Sequence, residues 1–225
     1  LIFNMSNYEF PILYTFRRCP YAMRARFILR ETLKTIELRE IKLQNKPKDF
    51  LNTSPKGTVP VLVLSKKEVL DQSLDIMMWC LKSSENTKAN DLKNNLPNNF
   101  LVQIKNLDAE FKINLDKYKY PNRFQESDKY FFRDKNVKFL KSLEDKLKSS
   151  IFLNSNKIGL LDYAIFPFIR QFRNVDIDWF ENLNLSFLNN WYLSIVESKA
   201  FFDIMKKYKV WDAEDKPIIT NFNYN

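Results

Sequence analysis

Histidine does not occur among the 225 residues. Its absence excludes Ser-His and Cys-His nucleophile pairs and every His-containing zinc site. Cysteine occurs twice, at Cys19 and Cys80, in unlike surroundings. Two thiols are too few for a structural metal centre or a disulfide framework, so no metal is expected, and a reducing, cytoplasmic setting fits. Glycine is as scarce, at Gly57 and Gly159 alone, which places each where the backbone needs it. No apolar run approaches the ~18 residues of a membrane-crossing helix, so no membrane partner is expected. The opening Leu1-Ile2-Phe3-Asn4-Met5 lacks a basic n-region and a small-residue cleavage site; it reads as a start without a signal peptide, with Met5 as the natural first residue. Enzymatic chemistry must then come from thiol, hydroxyl, carboxylate, Lys or Arg.

What is present describes a globular chain, with 45% apolar and 28% charged residues, long enough for one large or two modest domains. The net charge of +9 is concentrated early: residues 1–83 hold 14 Lys and Arg against 8 Asp and Glu, and the remainder 22 against 19. The lysines are scattered, with no Arg-rich run or aromatic-Gly ribonucleoprotein motif, so nucleic acid is not the expected partner. A small anionic ligand in the first part accounts for the asymmetry at least as well.

The most informative stretch is Arg17-Arg18-Cys19-Pro20-Tyr21-Ala22, where the apolar strand Ile12-Leu13-Tyr14 gives way to an amphipathic pattern. Proline is favoured in the first turn of a helix, so Cys19 is expected at a helix N-terminus. There the macrodipole, the open N–H groups and two arginines stabilise a thiolate. An isolated cysteine is more often a small buried hydrophobe. The Arg-Arg and Pro neighbours favour the reactive reading for Cys19, whereas Cys80, within Met77-Met78-Trp79-Cys80-Leu81, reads as core. Ala22 stands where a C-x-x-C motif would carry its second thiol, so any resolving thiol comes from outside the chain, and glutathione is the obvious small candidate.

Residues 11–82 read as alternating elements: a strand over Ile12 to Phe16, a helix with Tyr21, Ala25, Ile28, Leu29 and Thr32 on one face, a strand over 36–41, a short Pro-opened helix at 46–51, a hairpin over 59–70 and a helix over 73–82. The order βαβ, α, ββα is that of a thioredoxin-like domain. The expected organisation is a thioredoxin-like domain over 1–82, a polar linker over 83–88 and an all-helical domain over 89–225, with the tail after Trp211 a surface wrap. In the helical part, Phe100, Ile104, Leu107, Phe111 and Leu115 form one packing stripe, and Val137, Leu140, Leu143 and Leu147 another. Gly159 is a candidate N-cap, with Asp162 at N3.

Three pieces line up: Cys19-Pro20-Tyr21 after the first strand, Thr58-Val59-Pro60 before the third, and Gln72-Ser73 opening the third helix. With the helical second half and Gly159-Leu160-Leu161-Asp162, the chain resembles the cytosolic glutathione transferases, and most closely the cysteine-type omega class and its bacterial relatives. The resemblance runs from Pro11 to Trp211. It implies a cis peptide before Pro60, with the Val59 N–H and C=O pairing to the cysteinyl backbone of glutathione as an added strand would. It implies that Ser73, at a helix N-terminus, and Gln72 bind the γ-glutamyl end, although the omega class usually has Glu at position 72. It implies that Lys46 pairs with a glutathione carboxylate; spacing alone reads Lys46 as a solvated lysine. It places a second-substrate pocket between the domains, for which Tyr21, Tyr118, Tyr120 and Arg123 are candidates, against a plain packing or surface role for each. Homodimerisation is the family habit.

The expected function is therefore a glutathione-dependent transferase in which the Cys19 thiolate carries out thiol–disulfide exchange, of thioltransferase, dehydroascorbate reductase or deglutathionylation type. Glutathione would serve as co-substrate and a small-molecule or protein disulfide as partner. Two alternatives stand: glutathione conjugation or lyase chemistry on a hydrophobic electrophile, and a non-catalytic interaction module of the stringent-starvation-protein type.

Overall fold

The computed structural model describes residues 8–125 and 128–224; the expectation about Met5 lies outside them. The first part runs β1 (Ile12–Thr15), α1 (Pro20–Glu31), β2 (Ile36–Glu40), α2 (Lys48–Thr53), β3 (Val61–Ser65), β4 (Glu68–Leu70) and α3 (Ser73–Lys82). Then follow α4 (Thr87–Asn94), α5 (Phe100–Asn106), a π-helical turn (Leu107–Phe111), α6 (Lys112–Lys119), α7 (Pro121–Phe124), α8 (Lys129–Lys135) and α9 (Val137–Leu147). The last elements are α10 (Leu160–Arg173), α11 (Ile177–Glu181), α12 (Ser186–Val196), α13 (Lys199–Ile204) and β5 (Ile218–Thr220). This is a thioredoxin-like domain with a mixed sheet, followed by a helical region. No helix among the described residues is long and apolar enough to cross a membrane.

The chain divides into two compact units: the described residues up to Asn90 together with those from Ser198 onward, and Asp91–Glu197. The tail thus leaves the helical unit and does more than wrap a surface. Its β5 pairs antiparallel with β2, Ile218 opposite Leu38 and Thr220 opposite Ile36, so the sheet runs β4-β3-β1-β2-β5. The segment expected as a linker begins as a turn docked on α1, with the Ser84 hydroxyl donating to the Thr32 carbonyl at 3.2 Å and the Asn86 amide to that of Glu31 at 3.2 Å.

The α1 pattern departs from the single apolar face expected. Ten of its residues are buried, including Arg24 and Arg26, because α3 and α13 cover it as well as the sheet. In the helical unit the stripe Phe100, Ile104, Leu107, Phe111 and Leu115 is fully buried. Its spacings of four, three, four and four slightly overrun a 3.6-residue turn, and the wider π turn over Leu107–Phe111 absorbs the excess. Phe111, Tyr118 and Phe180 gather around Phe172 at ring separations of 5.4, 5.6 and 6.3 Å. Gly159 caps α10 as expected: its N–H donates to Asp162 Oδ2 at 2.8 Å, while Leu153 N–H and Trp191 Nε1–H donate to Oδ1 at 2.9 and 2.7 Å.

Candidate active site

Strand directions gather the site. β1 and β2 are parallel, with Thr15 opposite Glu40, so both end at one edge of the sheet. β3 is antiparallel to β1, with Val61 opposite Tyr14, so it starts at that edge, and β4, antiparallel to β3, ends there. The segments Phe16–Cys19, Thr58–Pro60 and Asp71–Ser73 therefore emerge together, and the N-termini of α1 and α3 face that edge with their open N–H groups. An anion is favoured in such a place.

Cys19 is the N-cap of α1, with Pro20 at the first helical position and no acidic residue in the first turn. Its own N–H donates to the Phe16 carbonyl at 3.0 Å, closing the loop. The Cys19 thiol donates to the Val59 carbonyl at 3.5 Å, and the Val59–Pro60 peptide is cis. Val59 is buried in a cluster with Ile12, Tyr14, Phe50 and Val61, and half-buried Cys19 packs against the same cluster. Cys80, by contrast, is fully buried, and burial pushes its thiol up to about 12.

Lys46 lies against the turn that leads to Val59. Gly57 has a φ of +62°, and a Cβ there would stand 3.3 Å from Lys46 Nζ and 3.3 Å from Leu51 Cδ2. Ser73 is buried at the first position of α3, and Gln72, exposed, is its N-cap in extended conformation. The fold thus brings Cys19, Lys46, Val59, Pro60, Gln72 and Ser73 to one end of the sheet. Of the second-substrate candidates, Tyr21 lies on the first turn of α1 in this unit, with the Arg24 guanidinium 5.4 Å from its ring centre. The others belong to the helical unit. Tyr118 is a buried packing residue there, and burial pushes its hydroxyl up to about 12. Tyr120 joins α6 to α7 and carries the exposed Arg123 guanidinium 4.5 Å above its ring.

Sequence reasoning missed two residues behind Cys19. Arg26 is 1% exposed and Glu40 8%. Arg26 Nη2 donates to the Arg17 carbonyl at 2.6 Å and Nη1 to Thr15 Oγ1 at 2.6 Å, while Glu40 Oε1 accepts the Arg17 N–H at 2.7 Å. Burial lowers Arg26 to about 10, which still leaves it charged at neutral pH, and burial raises the Glu40 carboxyl against the opposing pull of the Arg17 N–H and Arg26. The available signal was a charged residue on the apolar ladder Ala22, Arg26, Leu29; the partner strand's position was not in it.

Comparison with known proteins agrees with this geometry. Residues 13–88 match the family described as glutathione S-transferase, N-terminal domain. Glutathione S-transferase omega-1 of Sus scrofa is 25% identical over 203 residues, covering 89% of this chain and 74% of that protein. Among solved structures, the Tau class glutathione S-transferase of mango, Mangifera indica, superposes with a TM-score of 0.69 at 21% identity, over 88% of this chain and 93% of that one. A glutathione S-transferase-I bound with the ligand lactoylglutathione superposes with a TM-score of 0.68 at 15% identity, over 87% and 98%. Residues 13–88 thus match the glutathione S-transferase N-terminal domain family, and the chain as a whole has the glutathione transferase fold and resembles the omega class.

Proposed function

We propose that the protein is a glutathione-dependent transferase whose Cys19 thiolate performs thiol–disulfide exchange. The observation that carries this reading is the Cys19 thiol at the N-cap of α1, 3.5 Å from the carbonyl of the residue that precedes cis-Pro60. The thiolate attacks the glutathione sulfur of a mixed disulfide. The Cys19–glutathione bond forms, and the other thiol leaves as a thiolate that takes a proton from solvent. A second glutathione thiolate then attacks the bound glutathione sulfur, releasing oxidised glutathione and restoring the Cys19 thiolate. One mixed disulfide and one glutathione thus give one thiol and one oxidised glutathione.

The resting thiol donates to the Val59 carbonyl, and a thiolate has no proton to donate. Ionisation of Cys19 therefore frees that carbonyl to accept the cysteinyl N–H of glutathione, coupling thiolate formation to binding. Ser73 and the α3 N-terminus receive the γ-glutamyl carboxylate, with Gln72 accepting from its ammonium, and Lys46 pairs with another glutathione carboxylate. A homodimer, a small-molecule or protein disulfide as the second substrate, and a contact to it from Tyr21 belong to the same proposal.

Steady-state exchange with a glutathione mixed disulfide tests it. Cys19→Ser is expected to lower turnover by ~100-fold or more while binding of S-methylglutathione changes only a few-fold. Conjugation of an electrophile that survives Cys19→Ala would replace exchange with conjugation. Failure of the wild type to bind glutathione would direct attention to a non-catalytic interaction module.

A further inference from the structure

The loop carrying Cys19 is gripped at one residue, Arg17, from both sides by a buried pair of opposite charges. The Arg17 N–H goes to Glu40 Oε1, 2.7 Å away on the last residue of β2. The Arg17 carbonyl goes to Arg26 Nη2, 2.6 Å away on α1. The same guanidinium reaches Thr15 Oγ1 at 2.6 Å, the Phe16 carbonyl at 3.4 Å and the Ile204 carbonyl at the end of α13 at 3.0 Å. Since the Phe16 carbonyl also accepts the Cys19 N–H at 3.0 Å, Arg26 fixes the acceptor that orients the cysteine. A planar fork with several donors suits this task, and a lysine has no such geometry.

From this geometry we infer that Arg26 and Glu40 are a positioning pair for Cys19. Arg26 holds the Phe16 and Arg17 carbonyls and sets a positive charge behind the thiol, and Glu40 holds the Arg17 N–H and offsets that charge. The inference rests on the proposed role of Cys19 as nucleophile. Arg26 interacts electrostatically with Cys19 itself, with Glu40 from β2, with Arg17 in the loop and with Tyr208 from the tail. Glu40 faces Arg17 and Arg26, while Tyr8 packs on the cluster that holds Cys19 and Arg18 is its chain neighbour. A positive charge close to a thiol favours its ionised form, and a carboxylate that offsets the charge works against it. The two residues therefore act on the thiol in opposite directions.

The test is the pH profile of Cys19 alkylation by iodoacetamide in the full chain, with kcat and KM for exchange measured beside it. Arg26→Met is expected to raise the alkylation midpoint by about one pH unit, and Glu40→Gln, which keeps an oxygen for the Arg17 N–H, to lower it by about half a unit. Arg26→Lys keeps the charge and loses the fork: its midpoint should stay near wild type while kcat falls several-fold at nearly constant KM. Packing damage alone would move the midpoints of Arg26→Met and Glu40→Gln the same way or leave both in place, and either result overturns the inference. Should Arg26→Met fail to fold, the downward shift in Glu40→Gln decides alone. The wild-type midpoint separately tests the proposed chemistry: an ordinary thiol value there sinks the nucleophile reading, whereas a low value with no shift in the variants sinks only the pair.

Discussion

Gly57 sits at a φ of +62°, where an added Cβ would meet Leu51 and the Lys46 amine at 3.3 Å each. The left-handed conformation and the crowding act together, so Gly57→Ala should cost about 1–2 kcal/mol of stability. It should also push Lys46 off the turn, read as a higher KM for glutathione; an unchanged melting temperature and KM would contradict this. The two cysteines differ as sharply. Cys80 is buried and held up to about 12, so at pH 8 the native protein should take one equivalent of a thiol reagent, at Cys19, and a second only on denaturation. The Cys19 setting was legible because proline and two arginines flank it in sequence. Arg26 and Glu40 were not, because the register that places Glu40 opposite Thr15 is a property of the paired strands and of neither segment alone.

At the scale of elements, α10 depends on one carboxylate. Asp162 is fully buried and accepts from Gly159 N–H, Leu153 N–H and Trp191 Nε1–H. Asp162→Ala leaves those three donors without their partner, at a cost of about 3 kcal/mol or more, measurable as a lower midpoint in urea. Burial outweighs these bonds and holds the Asp162 carboxyl above its ordinary value. The folded state then binds the proton more tightly than the unfolded one. The contribution of this group is therefore fully present below the ordinary carboxylate range and is lost as pH rises through its raised value, the reverse of a salt-bridged aspartate. The cap and the helical stripes were readable from residue types and spacing. The π turn was not, since it is the stripe's small excess over 3.6 residues, visible only once the helix is built. Nor was the all-round burial of α1, which needs α13 to arrive from more than 160 residues away.

Across the whole molecule, the tail is the part whose place the sequence did not disclose. Its polar residues suggested a surface wrap, yet β5 covers the β2 edge, the Trp211 N–H donates to the Glu40 carbonyl at 2.7 Å and Phe222 is fully buried. The Arg39 guanidinium lies 4.4 Å from the Trp211 ring centre and donates to the Tyr14 hydroxyl at 2.7 Å, tying the tail, β2 and the central strand β1 together. Phe222→Ala should cost about 3 kcal/mol through its cavity, and removing the residues from Trp211 onward should expose the β2 edge and promote aggregation. A soluble truncated chain of unchanged melting temperature would show the tail to be dispensable. The mixed sheet and the helical half, by contrast, were legible from alternation and periodicity, which local residue patterns express directly.

The most direct test of the account is intact-mass spectrometry after treatment with oxidised glutathione, comparing wild type with Cys19→Ser. The account predicts a single glutathione adduct on the wild type, removed by reduced glutathione and absent from the variant. An unmodified wild type, or an equal adduct on Cys19→Ser, would contradict the assignment of Cys19 as the nucleophile of thiol–disulfide exchange.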